Sequence, residues 1–258
     1  MKDEGRRMKV TLTAVAGIPH VKSGDDVAEL ILAALAAHDI SLQPGDVLAV
    51  AQKIISKAEG RLVRLADVTP SARAQAAAAQ TAKDPRLVEL ILQESVAISR
   101  MKPGVLIVTH RLGFTSANAG IDRSNVGQGE ETVLLLPVDP DGSAQAIRQA
   151  ICDRLGIDVG VVICDSHGRP FRLGTVGVAI GVAGIPALWD RRGESDLYGY
   201  RLEHTDVGVA DEIAAAAGLL MGQAAEGQPV VLVRGLQLPR VDGRAADLNR
   251  PKEMDLYR

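Results

Sequence analysis

The chain has 258 residues, with 29 Lys and Arg against 32 Asp and Glu, a formal net charge of −3. That is long enough for one large or two small domains with a real core, and it offers no global field for polyanions. Aromatics are only 2 % beside 47 % hydrophobic residues, so the core is built from Val, Leu, Ile and Ala, and a base-stacking nucleic-acid surface is disfavoured.

Residues 1–7 are charged, lack an apolar signal core and read as a flexible leader; no later stretch approaches a membrane span. A cytoplasmic location fits, with no membrane and no nucleic acid as partner. Residues 9–15 read as a strand and 17–21 as a turn around Pro19. Ser23 is the predicted cap of a helix with Asp25 and Asp26 in its first turn and an apolar stripe of Val27, Leu30, Ile31, Ala34 and Leu35. Residues 46–51 form a short buried strand that runs into QKIISKAEG at 52–60. There Lys53 and Lys57 either grip phosphate oxygens or sit solvated on an exposed edge; without context the second reading is preferred. Thr69-Pro70 opens an Ala-rich helix with Pro70 at its first position. Asp84-Pro85 opens another, carrying Leu87, Leu90, Ile91 and Val96, and 105–109 is a strand.

HRLGFTSANAGIDRSNVGQG, at 110–129, has no helical or strand period. A loop this long inside a compact domain is more often functional than idle. Asp122, Arg123, Ser124 and Asn125 are half of a metal–phosphate site on one reading and an Asx-turn on the other. Residues 132–138 read as a strand. Asp141-Gly142-Ser143 starts a helix that runs to Leu155 and stops at Gly156.

Residues 159–163 are a β-branched run, a strand buried on both faces that ends at Asp165 and Ser166. His167, Arg169, Pro170 and Arg172 follow as a short polar loop, then a strand with Gly174, Gly177, Gly181 and Gly184. Repeated glycine in a strand marks close backbone approach. The order strand, carboxylate, basic loop, glycine-rich strand suits a metal beside an anion, or a capped turn. Residues 187–200 form a polar loop, 206–225 a helix, 229–233 a strand and 236–258 a tail or clasp. The fold expected is α+β, with mixed sheets, helices and long loops.

Familiar sites are absent: there is no GxxxxGK[ST], GxGxxG, GxSxG or HExxH. Cys152 and Cys164 have no zinc-type spacing and read as small core residues. His110, His167 and His204 read as hydrogen-bonding loop residues. Asp122, Asp165, Ser166 and Gln223 remain as hard oxygen ligands that prefer Mg²⁺ or Mn²⁺, with lysines and arginines for an anion. That set suits metal-assisted phosphoryl chemistry.

QKIISKAEGR, ANAGIDRSNV, CDSHGRPFRLG, VGVAIGVAG, VADEIAAAAGLLMGQAAEG and PVVLVRG, in this order, resemble the coenzyme F420:L-glutamate ligases, from about residue 18 to 235. The resemblance implies a ligase domain over 8–245, with a tail at 246–258, made of two intimately associated subdomains in an intertwined homodimer. It implies a GTP-dependent joining of L-glutamate to the terminal carboxylate of coenzyme F420-0, through an acyl phosphate, and further glutamates in γ-linkage. It also implies two Mg²⁺ or Mn²⁺ ions per site, with K⁺ helpful. By motif, Asp122 and Asp165 hold one ion, and Ser166 and Gln223 the second. Ile18, Pro19, His20, Val21, Gln52, Lys53, Lys57 and Asn125 contact GTP, while the 221–228 segment, with Met221, Gln223 and Gln228, closes over it. His167, Phe171, Thr175 and Gln52-Lys53 depart from the usual family pattern. Two other readings stay open, a metal-dependent phosphohydrolase and a non-catalytic deazaflavin-binding module.

Overall fold

The structure, a computed structural model, describes residues 9–127, 129, 131–239 and 241–254. The leader expected over 1–7 and the last residues of the expected tail lie outside the described residues. β1 (Thr11–Ala14) is followed by α1 (Val27–Ala37), whose cap is Asp26, accepting from the Glu29 N–H, and not Ser23. Asp25 bonds back to the Lys22 N–H, which delays the helix start past both residues. β2 (Val47–Ala51) passes directly into α2 (Gln52–Ala58), and β3 (Leu62–Arg64) follows. Ser71 caps α3 (Ala72–Thr81), so Pro70 stands outside that helix rather than at its first position. α4 (Pro85–Gln93) starts as predicted, with Asp84 as cap and Pro85 in the first turn.

Val96 does not belong to α4. It lies exposed on β4 (Ser95–Lys102), which pairs antiparallel with β5 (Val105–His110), and β5 pairs in turn with β6 (Thr115–Ala117). Part of the expected 110–129 loop is thus a hairpin. β7 (Thr132–Leu134) stops short of Val138, because β3 offers it only three partners. α5 (Pro140–Leu155) is capped by Asp139 and ends at Gly156, whose φ of 66° needs no Cβ. β8 (Gly160–Arg169) and β9 (Arg172–Ala183) form one long hairpin, so the polar loop expected after Ser166 is strand instead. β10 (Trp189–Asp190) pairs with β11 (Asp206–Val207); α6 (Val209–Met221) and β12 (Val230–Arg234) complete the elements, with short 3-10 turns at Ala245–Leu248 and Lys252–Met254.

The main sheet runs β1-β12-β2-β8-β9, with β2 and β8 parallel and the other neighbours antiparallel. Strand alternation splits its side chains between two cores. Leu48, Val50, Val161, Ile163 and Leu232 face α1, α2 and α5, while Val47, Ala49, Val162, Cys164 and Val231 face α6. A third cluster joins α3 and α4 to β5 and β7 through Ala77, Val88, Ile91, Leu106 and Val133. The fold is mixed α and β, as predicted. Among the described residues no helix is long and apolar enough to cross a membrane.

Gly177 and Gly181 of β9 mark close approach on both faces, whereas Gly174 has no close neighbour and a φ of 84°. A Cβ on Gly177 would lie 2.2 Å from the Ala214 carbonyl oxygen of α6, and one on Gly181 would lie 2.4 Å from the Pro140 carbonyl oxygen of α5. Two glycines four apart face opposite helices because Ile180 is a bulge: Ile163 pairs with Gly181 but Cys164 with Ala179.

Glu94, at the end of α4, is buried between Arg61 at 2.8 Å and Arg111 at 3.1 Å, and His110 stands 3.6 Å away. Burial alone would push its carboxyl pKa up, but the His110 and Arg61 contacts prevail and hold it at about 2, below the ordinary 4.5. A carboxylate depressed in the folded state stabilises above its unfolded value and loses that contribution as pH falls toward 2. Glu94→Gln should therefore lower stability at neutral pH by about 3 kcal/mol. It should also flatten the fall in urea midpoint between pH 4.5 and 2; an unchanged acid limb would contradict this.

Candidate functional site

The parallel pair decides where the site lies. β2 and β8 run in register to Ala51 opposite Cys164. The residues that follow, Gln52-Lys53 on α2 and Asp165-Ser166 on β8, therefore emerge side by side. Carboxyl ends of adjacent parallel strands are where open sheets hold ligands. A cleft of about 590 Å³ opens there.

The short helix α2 was not anticipated, and it changes the reading of its lysines. Residues four apart share a helix face, so Gln52 stands with Ser56 and Lys53 with Lys57. Ser56 Oγ donates to Gln52 Oε1 at 2.8 Å, which turns the amide so that Nε2 donates to Asp122 Oδ2 at 2.6 Å. Lys53 Nζ lies 3.2 Å from the same oxygen. Lys57 donates to the Asn125 carbonyl at 2.8 Å. Neither lysine is the solvated edge residue preferred from sequence: both are half-buried. Burial, and then the charge of Lys53, lowers the Lys57 ammonium below its ordinary value.

Asp122 is held by paired backbone hydrogen bonds with Leu134. Burial raises its carboxyl above the ordinary value; Lys53 opposes that, and the Asp165 carboxylate adds to it. The two acids from separate motifs are thus close enough to repel. Asp165 itself is 10 % exposed, with Oδ2 2.9 Å from His167 Nε2. Asn125 sits at a φ of 57° and donates from Nδ2 to the Ala224 carbonyl at 2.7 Å. This bond ties the Asp122 loop to the segment after α6.

The other candidate residues are in the same place. Ile18, Pro19, His20, Val21, Gln52, Lys53, Lys57 and Asn125 all line the cleft. Asp165 and Ser166 line it too, as do Met221 at the end of α6 and Gln223 and Gln228 from the segment that follows. Asp122 is not itself part of the lining, but Gln52 and Lys53, which are, both contact its carboxylate. Among the described residues, the Gln228 Oε1 is buried without a hydrogen-bond partner. Sequence reasoning missed Ser56, visible only once 52–58 is helical, and the Ala224 carbonyl, which no side-chain motif marks.

The histidines divide. His110 is wholly buried on β5, His167 lies on β8 beside Asp165, and His204 is exposed. Cys164 lines the cleft but is buried, and burial pushes its thiol up to about 12, whereas Cys152 is only half-buried. Iodoacetamide on the native protein at pH 8 should therefore modify Cys152 well before Cys164, read by peptide mass mapping. Equal rates would contradict the packing described for Cys164.

Among the described residues, no three His, Cys, Asp or Glu side chains gather for an ion. The oxygen set at hand is two carboxylates, the Ser166 hydroxyl and the Gln223 amide. Such hard donors fit Mg²⁺ or Mn²⁺, ions that keep ligand places for water and phosphate oxygens. The mutual repulsion of Asp122 and Asp165 is what a cation between them would relieve.

A family model described as F420-0:Gamma-glutamyl ligase matches residues 17–235. The coenzyme F420:L-glutamate ligase of Methanothermobacter thermautotrophicus is 49 % identical over 253 residues, covering 97 % of this chain and 100 % of that protein. The Methanopyrus kandleri protein of the same name is 48 % identical, covering 92 % and 93 % of the two chains. That of Archaeoglobus fulgidus is 45 % identical and covers 97 % of each. Every residue of the cleft discussed above lies inside the matched span, and the chain belongs to the F420-0:gamma-glutamyl ligase family.

Proposed function

We propose that the protein joins the α-amine of L-glutamate to the terminal carboxylate of coenzyme F420-0 at the expense of GTP, and then adds further glutamates in γ-linkage. The names of the relatives support the ligation. The observation that carries the chemical reading is the meeting of Asp122, Asp165, Lys53 and Lys57 at the end of the β2–β8 pair.

A carboxylate is a poor acyl donor. Its oxygen attacks the γ-phosphorus and GDP departs, leaving an acyl phosphate. The glutamate amine then attacks the acyl carbon, the C–O bond to phosphate breaks, and the departing inorganic phosphate takes up the proton that the amine gives up. Lys53 and Lys57 neutralise phosphate charge as it moves, and the half-buried lysines do so at little reorganisation. Asp122 and Asp165 would hold one Mg²⁺ or Mn²⁺, and Ser166 with Gln223 a second, supplying charge neutralisation on the triphosphate; K⁺ is a further expected aid. Ile18, Pro19, His20 and Val21 flank the nucleotide, and the 221–228 segment covers it, tied down by Asn125. An intertwined homodimer of two-subdomain protomers and a cytoplasmic setting complete the proposal.

Mass spectrometry of the coenzyme after incubation with GTP, Mn²⁺ and L-glutamate tests it: each turnover adds one glutamyl unit. GDP release without glutamate or acceptor would instead favour a phosphohydrolase. Coenzyme binding with no nucleotide consumed would favour a non-catalytic deazaflavin-binding module.

A further inference from the structure

Asp165 does not hold its own orientation. Its Oδ2 accepts from His167 Nε2 at 2.9 Å. A carboxylate only accepts, so that nitrogen carries hydrogen whatever the charge of the ring. Two residues apart on β8, the side chains share a face of the strand. The imidazole is in turn pinned by Phe114, with ring centroids 4.8 Å apart. Phe114 is also stacked against wholly buried His110, at 5.0 Å and 3° between planes. The turn that carries Phe114 is closed by the His110 N–H to the Phe114 carbonyl at 2.8 Å, and the Leu112 N–H donates to His110 Nδ1 at 3.0 Å. His167 and Phe114 both border a cavity of about 140 Å³ that Asp211 and Asn249 also line, and the Asp211 carboxylate is near enough to interact with the imidazole.

We infer that His167 is a positioning residue for Asp165: wedged by the Phe114–His110 stack, it engages one carboxylate oxygen and leaves the other for the cation of the cleft. The inference rests on the proposed metal role of Asp165. Groups that orient a ligating side chain typically change metal affinity by about 10–100-fold when removed. The stack also makes the β5–β6 turn, distant in sequence from Asp165, part of the site's support.

The test is Mn²⁺ titration of the whole chain followed by electron paramagnetic resonance of the free ion. His167→Phe keeps an aromatic ring beside Phe114 but cannot donate; it should raise the dissociation constant about 10-fold or more. His167→Gln, whose amide reaches nearly as far as Nε2, should restore binding to within about 3-fold, which a merely structural role would not predict. Asp165→Ala separates the claims. If it leaves Mn²⁺ binding unchanged, or if the unaltered protein binds no Mn²⁺, the metal reading fails and the inference with it. If Asp165→Ala abolishes binding while His167→Phe binds like the parent with an unchanged melting temperature, the positioning role alone is overturned. If His167→Phe does not fold, His167→Gln against His167→Leu decides, and equal affinities overturn the inference.

Discussion

Asp165→Asn should reduce glutamate-dependent GDP release by about 10³-fold or more while leaving the fold intact. The substitution keeps volume and one acceptor oxygen but removes the charge. Asp165 is one of two acids that come close enough for each to raise the other's energy, and it lies where the parallel strands end in the cleft. On the proposed reading, a divalent cation would lose its anionic ligand here and bind more weakly, and the negative charge on the transferring phosphoryl group would lose that cation as counter-charge. Removing the charge also relieves repulsion of Asp122, so stability should hold or rise slightly. A variant that keeps turnover within a few-fold of the parent would remove Asp165 from the chemistry.

Gly177→Ala should lower stability by about 3 kcal/mol, at the upper end for an overpacked core. The new Cβ would meet backbone, 2.2 Å from the Ala214 oxygen and 2.6 Å from its carbon, and backbone cannot rotate away as a side chain can. Ala214 and Gly218 of α6 line the cleft, so a helix displaced to make room also distorts the site. Gly168→Ala, on the same hairpin with nothing within 4 Å of the added carbon, is the control and should stay within about 0.5 kcal/mol. Urea denaturation of both variants measures this; equal midpoints would mean that β9 and α6 are not packed as described.

Elements with strong local signals were legible in the sequence. β2 is an unbroken apolar run and the first half of β8 a β-branched one, α4 has Asp84 and Pro85 at its start, and α5 has glycine at its end. The misses are where tertiary contacts decide. α2 spans only seven residues and has no side-chain cap at Ala51. It is held by burying Gln52, Ile54, Ile55 and Ser56, which no isolated peptide of that length would manage. β8 continues through Asp165, His167 and Arg169 because β9 offers a ladder as far as Arg172, not because those residues favour strands. Close approach holds for Gly177 and Gly181 of β9 but not for Gly174, whose φ of 84° is what calls for glycine, and the bulge that turns the first two to opposite helices leaves no mark in composition. No spacing rule brings Asp122 beside Asp165. Their pairing came from family resemblance, and the fold supplies the physical reason: the Leu134 bridge holds one, and the end of the β2–β8 pair presents the other.

The most direct measurement is an anomalous difference map from crystals grown with Mn²⁺ and a non-hydrolysable GTP analogue. The account predicts a manganese peak about 2–2.3 Å from carboxylate oxygens of both Asp122 and Asp165, with phosphate oxygens completing its shell. A nucleotide bound elsewhere, or a metal peak that touches neither acid, would contradict it.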